Sequence, residues 1–395
     1  MARLKFGVLT LPVHRPEHDP TLQLEGDLQL AELCDRLGFD EFYFGEHHSG
    51  GWQIIGAPEL MIAAAARTTS RIRLGTGVSA LSYHHPLTLA DRIVQLDHLT
   101  RGRLIFGVGA GELALDSTMI GHDPMEARRM MEESLETITE LLRYDGPVTR
   151  KTDWFHIDHG YLQLRPHQDD LDIRVAAFRS PSGPRLVGRF GAGMISYGAS
   201  EAIGLGSENP MTTAWEIAQE QATKFGQVVD RGRWSVVSPV HVAETEAQAR
   251  AEVRWGLPAY VAYLRHIFPM NIPVDLTDTD AVIDVLQTVG HAVIGTPQQV
   301  LAHIEKMQEI SGGFGTFLIE QADLADPEAT RRSYELFARQ VVPHFTGQLI
   351  PRREACQREL EQGGSTRRTM AAAQAKAGVE HHRERRSARY GAIGR

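Results

Sequence analysis

Residues 71–80 read Arg71-Ile72-Arg73-Leu74-Gly75-Thr76-Gly77-Val78-Ser79-Ala80, and residues 104–108 read Leu104-Ile105-Phe106-Gly107-Val108. Each reads as a strand. Between them, from Pro86 to Gly102, the apolar residues Leu89, Ile93, Leu96 and Leu99 recur at helical spacing. Strand, amphipathic helix, strand is the unit of a parallel sheet with crossover helices. The same rhythm extends in both directions. Upstream, Leu4–Leu11 and Glu41–Gly45 read as strands, and 22–37 and 57–68 as helices, the first stopped by Gly38. Downstream, the predicted strands are 173–178, 193–197, 234–242 and 316–319. Asp123-Pro124-Met125-Glu126 and Thr296-Pro297-Gln298-Gln299 have the form of helix starts, with an N-cap acceptor, proline at the first helical position and Glu or Gln three residues after the cap. Helices are expected from Asp123, from Thr213 to Phe225, from Thr296 to Gly312 and from Arg332 to Phe345. Eight strand–helix units point to an α/β fold, a (β/α)₈ TIM barrel with insertions, with an open doubly wound sheet as the alternative. The barrel is expected over 1–350, with an insertion near 254–290 where the rhythm breaks.

The 395 residues are 42% apolar and 23% charged, with a formal net charge of −9, an ordinary composition for a globular protein. Residues 351–395 hold eleven Lys/Arg against five Asp/Glu, or +6, which leaves −15 on the remainder. This basic C-terminal extension has almost no large apolar residue after Leu360 and reads as solvated. An acidic body argues against nucleic acid as a partner. No apolar run approaches the ~18 residues of a membrane span, and the first residues lack a signal peptide's apolar region, so a cytoplasmic location away from membranes is expected. Cys34 and Cys356 stand alone, without disulfide or metal-site spacing.

In a barrel, polar residues just after strand C-termini face the active site. The second strand runs into Glu46-His47-His48, and the third is followed by Tyr83-His84-His85. Imidazole donates, accepts and transfers protons near neutral pH; a histidine beside a glycine turn is also compatible with a purely structural role. Strand ends lacking a His-x-His pair and a terminal Asp argue against a catalytic metal. After the fifth strand, Phe178-Arg179-Ser180-Pro181-Ser182-Gly183 leads into a short helix. Small residues, two hydroxyls and free helix N-terminal amides suit a phosphate, with Arg179 and Arg128 as cationic partners. Leu11, Trp52, Tyr83, Met119, Tyr197 and Phe314 are candidates for an apolar substrate pocket, and equally for core packing. Trp255, Tyr260, Tyr263 and Phe268 would give the insertion an apolar underside, as in a lid.

Over about residues 3–345 this constellation resembles the bacterial luciferase-like flavin monooxygenases. The resemblance is carried in order by Gly38-Phe39-Asp40, Glu46-His47-His48, Leu74-Gly75-Thr76-Gly77, His85-Pro86, Leu96-Asp97, Thr100-Arg101-Gly102-Arg103, Phe106-Gly107-Val108-Gly109, Ile294-Gly295-Thr296-Pro297 and Val342-Pro343-His344. The Ser-Pro-Ser-Gly turn and the tail look most like limonene monooxygenase-type members.

The resemblance implies a luciferase-like barrel and a two-component reaction. Reduced FMN, delivered by a separate NAD(P)H:flavin reductase, meets O₂, and a C4a-peroxyflavin oxygenates a hydrophobic terpene, ketone or polyketide-type substrate. It implies His47, with Glu46 beside it, as the catalytic pair. Gly77-Val78 falls where the family carries a non-prolyl cis peptide against the flavin, and Arg128, Ser180, Ser182 and Gly183 fall at phosphate-contact positions. Two departures stand out: Gly109 and Ala110 occupy the places of a luciferase cysteine and arginine, and Arg179 is the expected compensating cation. A homodimer through the helices around the second and third strands is the family expectation. The alternatives are an F420-dependent oxidoreductase on the same barrel, which would not consume O₂, and a non-catalytic flavin-binding subunit, against which retention of Glu46-His47-His48 argues.

Overall fold

Eight parallel strands carry the architecture: β1 (Lys5–Thr10), β2 (Glu41–Phe44), β3 (Arg73–Thr76), β4 (Leu104–Gly109), β5 (Ile173–Ala176), β6 (Gly193–Tyr197), β7 (Trp234–Val242) and β8 (Thr316–Gln321). Each pairs with the next, and β8 returns to β1 in register from Lys5↔Thr316 to Thr10↔Gln321, which closes the barrel. This is the expected TIM barrel, and the open-sheet alternative is excluded. The computed structural model describes residues 3–391 except 12, 112, 144, 179, 199–209, 268–273 and 276. Residues 1–342 and 343–395 form two separate units; in the second, helices Ile350–Glu361 and Ser365–Gly391 are exposed along nearly their whole length. No helix among the described residues is long and apolar enough to cross a membrane.

Alternation along the strands stacks the barrel interior in layers. At the N-terminal end, Arg174 forks onto Glu41 (2.8 and 2.9 Å) and reaches Tyr43, Ser235 and Asp172, while Arg73 and Arg233 also hold Asp172. A buried charge is tolerated only when paired and hydrogen-bonded like this. Leu9, Tyr43, Ile105, Ile195, Val237 and Leu318 form the middle layer. Above them Leu11, Val78, Phe178 and Tyr197 are only partly buried and form the floor of the mouth.

Local chemistry explains several boundaries and moves others. The Asp35 carboxylate accepts from the amides of Ser70, Arg71 and Ile72, which aims the chain into β3. The strand expected over 71–80 is in two pieces: β3 ends at Thr76, the Gly77–Val78 peptide is cis, and pairing resumes at Ser79–Ala80 against Val108 and Gly109. The helix expected from Asp123 begins at Ala127: Asp123 caps the amide of Met125, only two residues on, and so closes a turn. Thr296 does form a full capping box with Gln299. The last barrel helix begins at Pro327, capped by Asp326, and ends at Gln340, with Val342–Thr346 as a separate short helix. The 254–290 region contributes helices Leu257–Ile267 and Thr279–Thr288, whose buried residues share one apolar cluster with Val13, Ala243, Ala322 and Leu324.

Candidate active site

The chain leaving β2 enters the mouth of the barrel at Glu46, which is 5% exposed. Its carboxylate accepts from the Ala80 amide (2.8 Å), His48 Nε2 (3.0 Å) and His84 Nε2 (2.7 Å). Arg92 donates to His84 Nδ1 at 3.2 Å, which leaves Nε2 as that ring's donor. Burial alone would raise the Glu46 pKa, but the bonds from His48, His84 and Ala80 outweigh it and hold the group below the ordinary value. The same bond raises the pKa of His48. Glu46 therefore ties the β2 loop to the segment after β3, and its oxygens are already engaged.

His47 lies between this clamp and Asp116. Its Nδ1 is buried without a hydrogen-bond partner among the described residues, 3.8 Å from Asp116 Oδ2, beyond hydrogen-bond length. Asp116 is 1% exposed and accepts from the His48 amide (3.2 Å) and the Ser49 hydroxyl. Burial would raise its pKa, but the interactions of His47, Ser49 and the His48 amide bring it below the ordinary carboxylate range. Asp116 is a site residue that the sequence did not reveal. It sits on helix Ala114–Ile120, seven residues following β4 with no motif to mark them.

Across the mouth, Arg128 at the start of helix Ala127–Arg143 donates to Ser180 Oγ at 3.4 Å, and Ser180 and Ser182 share a hydrogen bond of 2.6 Å. Helix Ser182–Phe190 opens here on Pro181, which supplies no side-chain cap, so its first amides face the mouth unused by a cap. Gly183 has to be glycine: a Cβ there would stand 2.3 Å from the Ala176 carbonyl oxygen, because the helix start lies directly on the end of β5. A guanidinium, two hydroxyls and a helix N-terminus converge as a dianion requires.

One cleft brings these parts together. It is lined by Leu11, Glu46, His47, Gly77, Val78, Arg128, Phe178, Ser180, Ser182, Gly183 and Tyr197, and encloses ≈ 900 Å³ out to its open mouth. Most of the residues singled out in sequence meet there. Gly109 lines it beside Val78, and a Cβ at Gly109 would come 2.5 Å from Val78 Cγ2. The missing cysteine is thus explained by the valine occupying its space. Arg179 lies outside the described residues.

Trp52, Tyr83, Met119 and Phe314 are corrections, since none of them lines the cleft. Trp52 packs beside Tyr263 on the insertion's apolar cluster, and Tyr83 sets its ring edge against His48. Met119 points to solvent, while Phe314 precedes β8 at the opposite end of the barrel, against Trp234. Nor do Trp255, Tyr260 and Tyr263 form an underside to a lid over the cleft. Tyr260 and Tyr263 are buried in the cluster, Trp255 stacks on the Arg15 guanidinium 3.8 Å away, and Phe268 is outside the described residues. Tyr260 instead reaches Glu320 on β8, with a 2.8 Å hydrogen bond. A larger cavity, ≈ 1620 Å³ measured likewise out to its opening, lies between helices Pro20–Leu37 and Pro327–Gln340, lined by Asp27, Trp255 and Asp323 among others, and shares no residue with the mouth cleft. The chemistry gathers at the smaller one.

Comparison with known proteins agrees with this geometry. The family model described as luciferase-like monooxygenase matches residues 4–312. A limonene 1,2-monooxygenase of Rhodococcus erythropolis is 44% identical over 383 residues, covering 97% of each chain. A 4-hydroxyprotoasukamycin monooxygenase of Streptomyces nodosus subsp. asukaensis is 42% identical over 353 residues, covering 88% of this chain and 94% of that one. Among solved structures, the oxygenating constituent of 3,6-diketocamphane monooxygenase from Pseudomonas putida, in complex with FMN, superposes with a TM-score of 0.72 at 26% identity, over 86% of this chain and 98% of that one. With a closed eight-stranded barrel, a histidine–carboxylate mouth and this degree of likeness along nearly its whole length, the chain belongs to the luciferase-like monooxygenase family.

Proposed function

We propose that this chain is the oxygenating component of a two-component, FMN-dependent monooxygenase, taking reduced FMN from a separate NAD(P)H:flavin reductase and oxygenating a hydrophobic terpene, ketone or polyketide-type substrate with O₂. The observation that carries this reading is the Arg128–Ser180–Ser182 cradle at a helix N-terminus, set at the edge of a wall made by Val78, Phe178, Leu11 and Tyr197. The anionic end of FMN fits the cradle and its planar ring fits the apolar wall. The names of the relatives support the reaction class, and the FMN-bound neighbour supports the cofactor.

The bound reduced flavin supplies the electrons with which O₂ is activated. The protein's part is to bind, orient, exclude water and manage protons. Arg128 neutralises the phosphate, and the serine hydroxyls and helix amides fix its position. Val78 and Phe178 keep one side of the ring in apolar surroundings. His47, its Nδ1 turned toward Asp116, keeps Nε2 to hold or move a proton at the reacting centre. Glu46 fixes the loop that carries it.

The test is to add photoreduced FMN to the purified chain under O₂ with a panel of terpenes and cyclic ketones, and to follow oxygen uptake and product mass. Gain of one oxygen atom by a panel member is expected; hydride transfer to F420 without O₂ uptake would replace the reading. Arg128→Ala is expected to weaken FMN binding about tenfold or more by fluorescence titration, the loss of one charge-assisted contact. Unchanged affinity would remove the cradle from the site.

A further inference from the structure

Helix Pro20–Leu37 carries a glycine in its interior. Gly26 costs such a helix about 1 kcal/mol against alanine, and no packing accounts for it: a Cβ there would meet no atom within 4 Å. What Gly26 borders is the larger cavity, between this helix and Pro327–Gln340. Leu22, Leu30 and Leu33 line the same cavity at helical spacing, and within this apolar stripe stands Asp27. Asp27 is 7% exposed. Its Oδ2 accepts from His14 Nε2 at 3.1 Å, the only hydrogen bond or ion pair of this side chain among the described residues. His14 Nδ1 accepts the Ile54 amide at 3.3 Å, so the ring carries its proton on Nε2 and brings no positive charge to the pair. A buried carboxylate without a cation is costly. Beyond β8, Asp323 adds a second carboxyl to the lining, held by Gln321 Nε2 at 2.9 Å and bonded to no Lys or Arg among the described residues. The guanidinium of Arg15 is engaged elsewhere: it lies 3.8 Å over the Trp255 ring, donates to the Trp255 carbonyl and sits beside Glu17.

We propose that this cavity is a second small-molecule site and takes an amphiphilic organic cation, its ammonium head paired with Asp27 beside the His14 ring and its apolar body over Leu22, Leu30 and Leu33. The ammonium supplies the positive charge that the Asp27–His14 pair lacks, and it donates to the Asp27 oxygen that His14 leaves open. The absent side chain at Gly26 lets the body of the ligand lie against the helix next to that carboxylate. Asp323 adds negative charge to the wall; burial pushes its carboxyl up to about 6, so it is ionised at about pH 8. A carboxylate or phosphate ligand would meet two carboxylates of like charge, and a neutral alcohol would leave Asp27 uncompensated. The cavity shares no residue with the mouth cleft, so its occupancy is separate from the oxygenation proposed above.

Calorimetric titration of the full chain without flavin, at about pH 8 where an alkylammonium keeps its proton, tests this with hexylammonium and hexanol, which share the chain and differ in the head. Hexylammonium is expected to saturate a single site and to bind about tenfold or more tightly than hexanol, the worth of one charge-assisted hydrogen bond. Asp27→Asn should bring the two probes to within about twofold of each other. Gly26→Leu places a side chain in the cavity where nothing obstructs it and removes a glycine from a helix. It should keep or raise the urea midpoint while weakening hexylammonium about tenfold or more, and it decides the matter if Asp27→Asn does not fold. Equal binding of the two probes, a preference that persists in folded Asp27→Asn, or hexylammonium affinity untouched by Gly26→Leu overturns the inference.

Discussion

At the scale of single residues, the site depends on how His47 is held. Its ring is confined by the loop that Glu46 clamps, and its Nδ1 faces Asp116 at 3.8 Å. Asp116→Asn keeps an oxygen for the His48 amide, places an amide nitrogen that can donate to the Ser49 hydroxyl, and removes the charge facing the imidazole. Turnover is expected to fall about tenfold to a hundredfold, toward the lower end of a general acid–base contribution, with FMN affinity changed less than about twofold and the pH–rate profile displaced. An unchanged profile would free His47 from Asp116. The histidine and glutamate were legible in sequence because they follow a strand end, where a barrel places its chemistry. Asp116 was not, because an isolated aspartate in a seven-residue helix carries no periodicity or spacing.

At the scale of elements, the helix Ser182–Phe190 has to begin where it does for the cradle to exist. Gly183→Ala forces a Cβ against backbone, with the Ala176 oxygen 2.3 Å away, so the helix start must lift off β5. A cost of about 1–3 kcal/mol in urea unfolding is expected, together with weakened FMN binding, since the amides and hydroxyls move as one unit. Full affinity in a destabilised variant would show that the phosphate sits elsewhere. The strands of the barrel were readable because most of them are short runs rich in apolar residues and bounded by turn residues. The helix opened at Asp123 was misplaced because the capping signature is local: Asp123 does cap, but two residues on, and Pro124 and Glu126 lie in the turn before Ala127. The insertion broke the strand–helix rhythm without revealing that its aromatic residues would be buried in its own cluster, because which face of a helix is covered depends on contacts distant in sequence. The antiparallel hairpin Val148–Lys151 with His156–Gly160, whose strands alternate buried and exposed residues only weakly, escaped for lack of pattern.

At the scale of the whole molecule, the carboxyls impose opposing pH dependences. Glu41, Glu46 and Asp116 are held below their ordinary values although burial pushes the other way, so the stability they contribute is present above about pH 4 and lost as pH falls below it. Burial raises Glu320 to about 7 and Asp323 to about 6. For these two the folded chain binds more protons than the unfolded chain between about pH 4 and pH 7, so their contribution is present at the acid end of that window and lost as pH rises through it. Burial lowers His303 to about 4 and also lowers His241, which opposes them over the same range, so the share of Glu320, up to about 3 kcal/mol between about pH 5 and pH 8, is read by difference. Glu320→Gln should remove that share from the pH dependence of the urea midpoint, and an unchanged pH dependence would place the titration elsewhere. Assembly is a separate property of the molecule. The helices following β2 and β3, Pro58–Thr68 and Pro86–Thr100, leave Leu60 73% and Leu99 53% exposed. Large apolar side chains on neighbouring outer helices suit burial against a second copy. Sedimentation of the full chain is expected to give a dimer, and Leu60→Glu with Leu99→Glu a monomer that keeps its thermal midpoint to within a few degrees. A wild-type monomer, or a dimer indifferent to both substitutions, would move the contact to another face.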